Sequence, residues 1–186
     1  MRTVLIVLSA LILSACSLGS GSHKPALRTV DYVDLDRYMG EWYIIANIPY
    51  FAERGNVAGR AVYSWRDDGN LNDIYLYRES FDEPEEKLTG KAWIEDETSN
   101  AYLKVRFYWP FTFDYYIIGL DDDYRYVAIG HPSRDYGWIM AREPRMPDAV
   151  YEEYLQIFAD QHYDTADFAK VPQFPEQLGQ PGFQDD

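Results

Sequence analysis

The stretch Gly40-Glu41-Trp42-Tyr43-Ile44-Ile45-Ala46-Asn47-Ile48-Pro49 decides how this chain reads. A glycine and a tryptophan open a strand that stays largely apolar until a proline stops it. Strand patterning then continues for about 100 residues before one helical segment. An antiparallel sheet of that length has to close on itself, and a closed barrel of eight strands is wide enough to hold one small ligand.

Working outward from that strand, turn residues and period-two alternation predict strands at 41–49, 57–66, 72–79, 87–95, 101–108, 112–120, 124–130 and 136–142. Asp67-Asp68-Gly69-Asn70 is a tight-turn signal between the second and third. In the fifth, Ala101, Leu103, Val105 and Phe107 alternate with Tyr102, Lys104, Arg106 and Tyr108, and Trp109-Pro110 ends it. Pro147 suits a first helical turn. Val150, Tyr154, Ile157, Phe158 and Gln161 then lay one apolar stripe along a helix at 147–162, which places it on a surface. The expected fold is all-β: an eight-stranded antiparallel up-and-down β-barrel with one C-terminal α-helix packed outside. Residues 30–175 hold it as one domain, and 176–186 read as a disordered tail.

The 186 residues are 47% hydrophobic and 17% aromatic, enough for a core and contrary to disorder. The net charge is −14, so no nucleic-acid partner is expected, because phosphate contacts need basic residues. A short basic start, Met1-Arg2-Thr3, precedes the apolar run from Val4 to Leu13, which is too short to span a bilayer and fits a signal-peptide core. Leu13-Ser14-Ala15-Cys16 resembles the bacterial lipoprotein box, where cleavage precedes the cysteine and the thiol is diacylated. Residues 1–15 are thus expected to be a signal peptide, Cys16 the lipidation site and 16–29 a flexible tether. By resemblance to sorting rules, the non-acidic Ser17 favours the outer membrane, with the protein facing the periplasm. Cys16 is the single cysteine, so packing and hydrogen bonds alone must hold the barrel.

Three short motifs, in this order, resemble the lipocalin family and within it the bacterial outer-membrane lipoprotein branch. They are Gly40-x-Trp42 on the first strand, Asp114-Tyr115 on the sixth, and Arg142 at the end of Trp138-Ile139-Met140-Ala141-Arg142 on the eighth. The second is partial, because Phe113 stands where the family often has threonine. Physically, Trp42 would plug one end of the barrel and Gly40 would allow a tight entry into the strand. Arg142 would lay its guanidinium across the indole and satisfy carbonyls of the 33–39 turn. These residues read as structural.

Parity then assigns the cavity. With Trp42 inward, so are Ile44, Ala46 and Ile48. Ala61 and Tyr63 follow on the second strand, Gly90, Ala92 and Ile94 on the fourth, and Leu103, Val105 and Phe107 on the fifth. Tyr115 and Ile117 follow on the sixth, and Trp138 and Met140 on the eighth. The small residues among them suggest a hollow interior; a barrel filled by the same side chains is the alternative. Loops after the second, fourth and sixth strands hold acidic turns at the plugged end. Loops after the first, third and fifth hold Tyr50-Phe51, Phe81 and Trp109-Pro110-Phe111 around the mouth.

The resemblance implies a non-enzymatic carrier that stores or transports a fatty acid or lysophospholipid in the cell envelope, its chain in the cavity and its head near the mouth. The membrane would be a partner through the acyl chains, and no cofactor or metal is implied. Two other readings stand beside it. An enzyme finds no support in His23, His131 and His162, which are scattered over tether, loop and helix end. A structural or adhesive surface lipoprotein would have a filled barrel, with Tyr43, Tyr102, Tyr108 and Tyr116 as a possible homodimer face.

Overall fold

The computed structural model describes residues 24–184; the signal peptide and Cys16 lie outside them. Eight strands make the barrel: β1 (Gly40–Asn47), β2 (Val57–Trp65), β3 (Leu71–Arg78), β4 (Glu86–Ile94), β5 (Tyr102–Arg106), β6 (Phe113–Leu120), β7 (Tyr126–Gly130) and β8 (Gly137–Ala141). Each pairs antiparallel with the next, and β1 pairs with both β8 and β2, which closes the sheet. The β2–β3 hairpin turns on Gly69 at φ +77°, a left-handed conformation open to glycine, while Asp68 Oδ1 accepts the Asn70 N–H at 3.1 Å.

Three register shifts interrupt the strands, between Ile44 and Ala46 in β1, between Val57 and Arg60 in β2 and between Ile117 and Gly119 in β6. A bulge sets two residues against one and reverses the faces beyond it. Ala46, expected in the cavity, therefore lies outside the barrel in the cluster that includes Ala128, Ile139 and Phe158, and Ile48 packs against that same cluster. Gly90 does face inward but marks no void, because a Cβ there would sit 2.8 Å from the Phe107 ring. The glycine makes room for a phenylalanine.

The floor is sealed by α1 (Leu35–Tyr38), capped by Asp34 Oδ1, which accepts the Asp36 and Arg37 N–H groups. Trp42 is fully buried, its ring 5.1 Å from Tyr38, and its Nε1 donates to the Tyr38 carbonyl at 2.8 Å. The Arg142 Cζ lies 3.8 Å over the indole. Its nitrogens donate to the carbonyls of Arg37, Tyr38, Met39 and Glu41 at 2.7–3.0 Å and to that of Tyr124 at 3.3 Å. One guanidinium thus joins the floor helix, β1 and the β6–β7 turn. Gly40, at φ +99°, passes directly beneath it.

On the outside, α2 (Asp148–Ala159) buries Tyr151, Tyr154 and Phe158 over β6, β7 and β8. The helix ends earlier than the expected 162, and the Gln161 side chain instead accepts from the Arg28 N–H at 2.7 Å and donates to its carbonyl at 2.8 Å. That pairing corrects the tether: its residues 24–29 run along the barrel, with Leu27 packed on the outer cluster.

The expectation of a disordered end beyond residue 175 is corrected as well. Toward the mouth β1 and β2 diverge, their register ending at Tyr43↔Arg60. A C-terminal strip fills the gap. β9 (Ala169–Lys170) pairs with β1, the Val171 N–H donates to the Ile45 carbonyl at 2.9 Å, and the Ala58 N–H donates to the Pro172 carbonyl at 2.8 Å. Gln173 Nε2 donates to the Ile44 and Gly59 carbonyls at 2.8 and 3.0 Å, bridging two strands that no longer reach each other. Residues 176–184, expected to be disordered, return to this seam, where buried Gln184 donates to Asn47 Oδ1 and accepts from the Gly55 N–H.

Candidate functional site

Above the Trp42 floor lies a cavity of about 90 Å3, room for roughly half a dozen waters. Its apolar walls are Ile44, Ala61, Val105, Phe107, Ile129 and Met140, and its upper rim carries Tyr50, Phe113 and Trp138. Of the expected lining residues, Ile44, Ala61, Tyr63, Val105, Phe107, Tyr115, Trp138 and Met140 meet around this space. Ala92, Leu103 and Ile117 belong to the inner core without lining it, and Ala46 is outside. Asp114 reaches the cavity edge while accepting the Tyr102 O–H at 2.7 Å.

The deep part is polar. Tyr115 Oη lies 2.6 Å from Tyr38 Oη and 2.9 Å from Tyr63 Oη. Burial raises all three phenols well above their usual range, so they stay protonated. Three hydroxyl protons serve two bonds, leaving one to offer a neighbour.

Two carboxylates missed from sequence also face this space. Glu53, in the β1–β2 loop, accepts Asn47 Nδ2 at 2.6 Å and Trp138 Nε1 at 2.8 Å. Burial still lifts its carboxyl to about 7. Asp73, on β3, is 5% exposed, and no hydrogen bond from the described residues reaches it. Burial, then the charge of Glu53, pushes it up to about 7. A signal for Asp73 existed: the Asp67–Asn70 turn sets Tyr63 opposite Asp73, and Tyr63 faces inward. Glu53 carried none, since it sits in a loop. The polar groups inside mean that a ligand's head has partners in the cavity as well as at the mouth.

At the open end Phe51 and Trp109 are 93% and 82% exposed, with Tyr108 and Phe111 beside them in the β1–β2 and β5–β6 loops. Tyr50 packs edge-on against Phe51, Tyr136 and Trp138. The floor end carries the acidic turns at Asp67–Asp68 and 121–123.

Residues 33–173 match the lipocalin-like domain family. The chain is 36% identical to the outer membrane lipoprotein Blc of Escherichia coli (strain K12) over 165 residues, 89% of this chain and 92% of that protein. It is 33% identical to temperature-induced lipocalin-1 of Arabidopsis thaliana, over 82% of this chain and 86% of the relative. Among solved structures, insecticyanin from the tobacco hornworm Manduca sexta superposes with a TM-score of 0.64 at 16% identity, covering 87% of this chain and 89% of that one.

Proposed function

The chain belongs to the lipocalin-like family, and on that premise we propose that it is a lipoprotein of the outer membrane that binds a hydrophobic or amphiphilic small molecule in its barrel and stores or transports it. The observation that carries this is a cavity sealed below by Trp42 and walled by apolar side chains beneath an aromatic rim. In this reading Cys16 is acylated, the barrel faces the periplasm, and the exposed Phe51, Trp109 and Phe111 meet the lipid surface, where aromatic rings are favoured. Acidic turns at the far end are then held away from anionic headgroups. Self-association through Tyr43 and the stacked pair Tyr102 and Tyr116 belongs to the same proposal.

Magnitudes limit the ligand. A cavity for half a dozen waters takes about six methylenes, worth roughly 5 kcal/mol at 0.8 each. Micromolar binding needs about 8 kcal/mol before ordering costs. Contacts at the rim and to the ligand's polar group must supply the difference. Fatty acids and lysophospholipids are the first candidates. Titration with a fluorescent fatty acid and a fluorescent lysophospholipid tests the reading: saturable binding of at least one, competed by unlabelled lipid and reduced at least tenfold by Ala61→Phe, is expected, and absence of saturable binding of both rejects it. The filled lower barrel favours the rival reading of a structural or adhesive lipoprotein. Native mass spectrometry of protein from cells separates the two by the presence of a co-purified lipid.

A further inference from the structure

Among the described residues, the cavity is lined by three carboxylates, Glu53, Asp73 and Asp114, and by no lysine, arginine or histidine. Two of them are already engaged, Glu53 by Asn47 and Trp138 and Asp114 by Tyr102. Asp73 is not. It is more than nine-tenths buried, borders the open space and accepts no hydrogen bond from the described residues. A buried carboxylate without a partner is costly, and a side chain held in that state is completed by whatever donor enters the space.

We propose that Asp73 accepts a protonated amine on the buried end of the ligand, so that the cavity selects cationic amphiphiles over carboxylates of the same length. This rests on the carrier reading and names the ligand chemistry of the same site. The walls between Asp73 and the mouth, Ile44, Val105, Phe107 and Met140, suit the attached hydrocarbon. The groups facing Asp73 support the choice. From β2 and β6 come the phenols Tyr63 and Tyr115, with Tyr38 behind them, all neutral donors or acceptors that tolerate either charge. From β3 itself comes Tyr75, whose hydroxyl already accepts from Asn56 Nδ2 at 3.2 Å. From the β1–β2 loop come Tyr50 and Glu53, and Glu53 adds negative potential. An ionised carboxylate entering this space meets like charge and, among the described residues, no compensating cation, whereas an ammonium gains a charge-assisted bond between largely apolar walls.

The test uses three ligands of one chain length, octylamine, octanoate and octanol, titrated calorimetrically against the folded chain. At about pH 8, where Asp73 is ionised, octylamine is expected to bind at least about tenfold more tightly than octanoate. The amine stays protonated and octanoate stays ionised down to about pH 5.5. There Asp73 becomes neutral, and the advantage should shrink to within about twofold. Asp73→Asn, a near-isosteric change whose folding is checked by circular dichroism, should abolish the advantage at both pH values. If octanol binds but the amine shows no advantage at pH 8, or if the advantage survives both acidification and Asp73→Asn, the proposal is overturned while the carrier reading stands. If none of the three binds, both fall together.

Discussion

The buried carboxylates make this barrel more stable in mild acid than at neutral pH, and the effect is large enough to measure. Asp73 titrates at about 7 in the fold, against about 3.9 in an unfolded chain. Between those values the native state holds a proton that the unfolded state has lost. Stability therefore rises as pH falls from about 7 to about 4 and is flat above 7, where both states are ionised. At 1.4 kcal/mol per pH unit the difference is about 4 kcal/mol for Asp73. Glu53, also raised to about 7, adds to it less than independently, since its charge is part of what lifts Asp73. His131 opposes the trend: burial, first among its causes, lowers its basicity, so its protonation favours the unfolded chain as pH drops below its usual range. It is only partly buried, and its contribution is smaller. The exposed carboxylates held low by hydrogen bonds, Asp68 and Asp96, lose their contribution only below about pH 4. Urea unfolding by circular dichroism at pH 5, 6, 7 and 8 should show the midpoint falling with pH, with a melting temperature about 10 °C lower at pH 8 than at pH 5. Asp73→Asn should flatten most of the slope and raise stability at pH 8. A wild-type profile that is flat or rises toward pH 8, or one unchanged by Asp73→Asn, refutes the reasoning.

Arg142→Ala should cost about 3–5 kcal/mol in denaturant unfolding, because it strips five carbonyls of a donor and uncovers the Trp42 ring; Arg142→Lys should recover little, having neither the fork nor the plane. Gly90→Ala should cost about 1–3 kcal/mol and weaken ligand binding, since the new Cβ drives the Phe107 ring toward the cavity; thermal melts and titration report the two effects. Gln173→Leu should cost about 2 kcal/mol and speed proteolysis of the C-terminal strip, as the Ile44 and Gly59 carbonyls lose their donor. Replacing exposed Trp109 and Phe111 with serine should lower co-sedimentation with phosphatidylcholine vesicles at least about fivefold and leave the melting temperature unchanged.

The turns and the alternating strands were legible because hairpin residues and period-two patterns are local signals. Asp67–Asn70 fixes the β2–β3 register, and β5 reads cleanly because its outer face is polar. The β1 bulge was not legible: Ile44, Ile45 and Ala46 are apolar whichever way they point, since the cavity lies on one side and α2 on the other. Where a helix covers a barrel wall, polarity no longer distinguishes the two faces. Asp73 was masked in the same way, as one acidic residue in a strand where Leu71, Ile74, Tyr75 and Leu76 put apolar groups on both parities, and only its register opposite the inward Tyr63 marked it. The two ends of the domain, 24–29 and 176–184, were misread because the anchors around them are glutamines. Gln161, Gln173 and Gln184 look like surface residues in a sequence, yet each amide spans backbone or side-chain groups that would otherwise be orphaned.

The strip at 169–173 also has a consequence for assembly. At the mouth β1 pairs with β8 on one edge, and its other edge gains a partner only when nearly the whole chain has been made, a contact of very long sequence separation and hence a slow one to form. Until residues 169–173 are in place, the edge of β1 that faces β2 at the mouth has no strand to pair with, so closure of the upper wall is the last step the chain order permits.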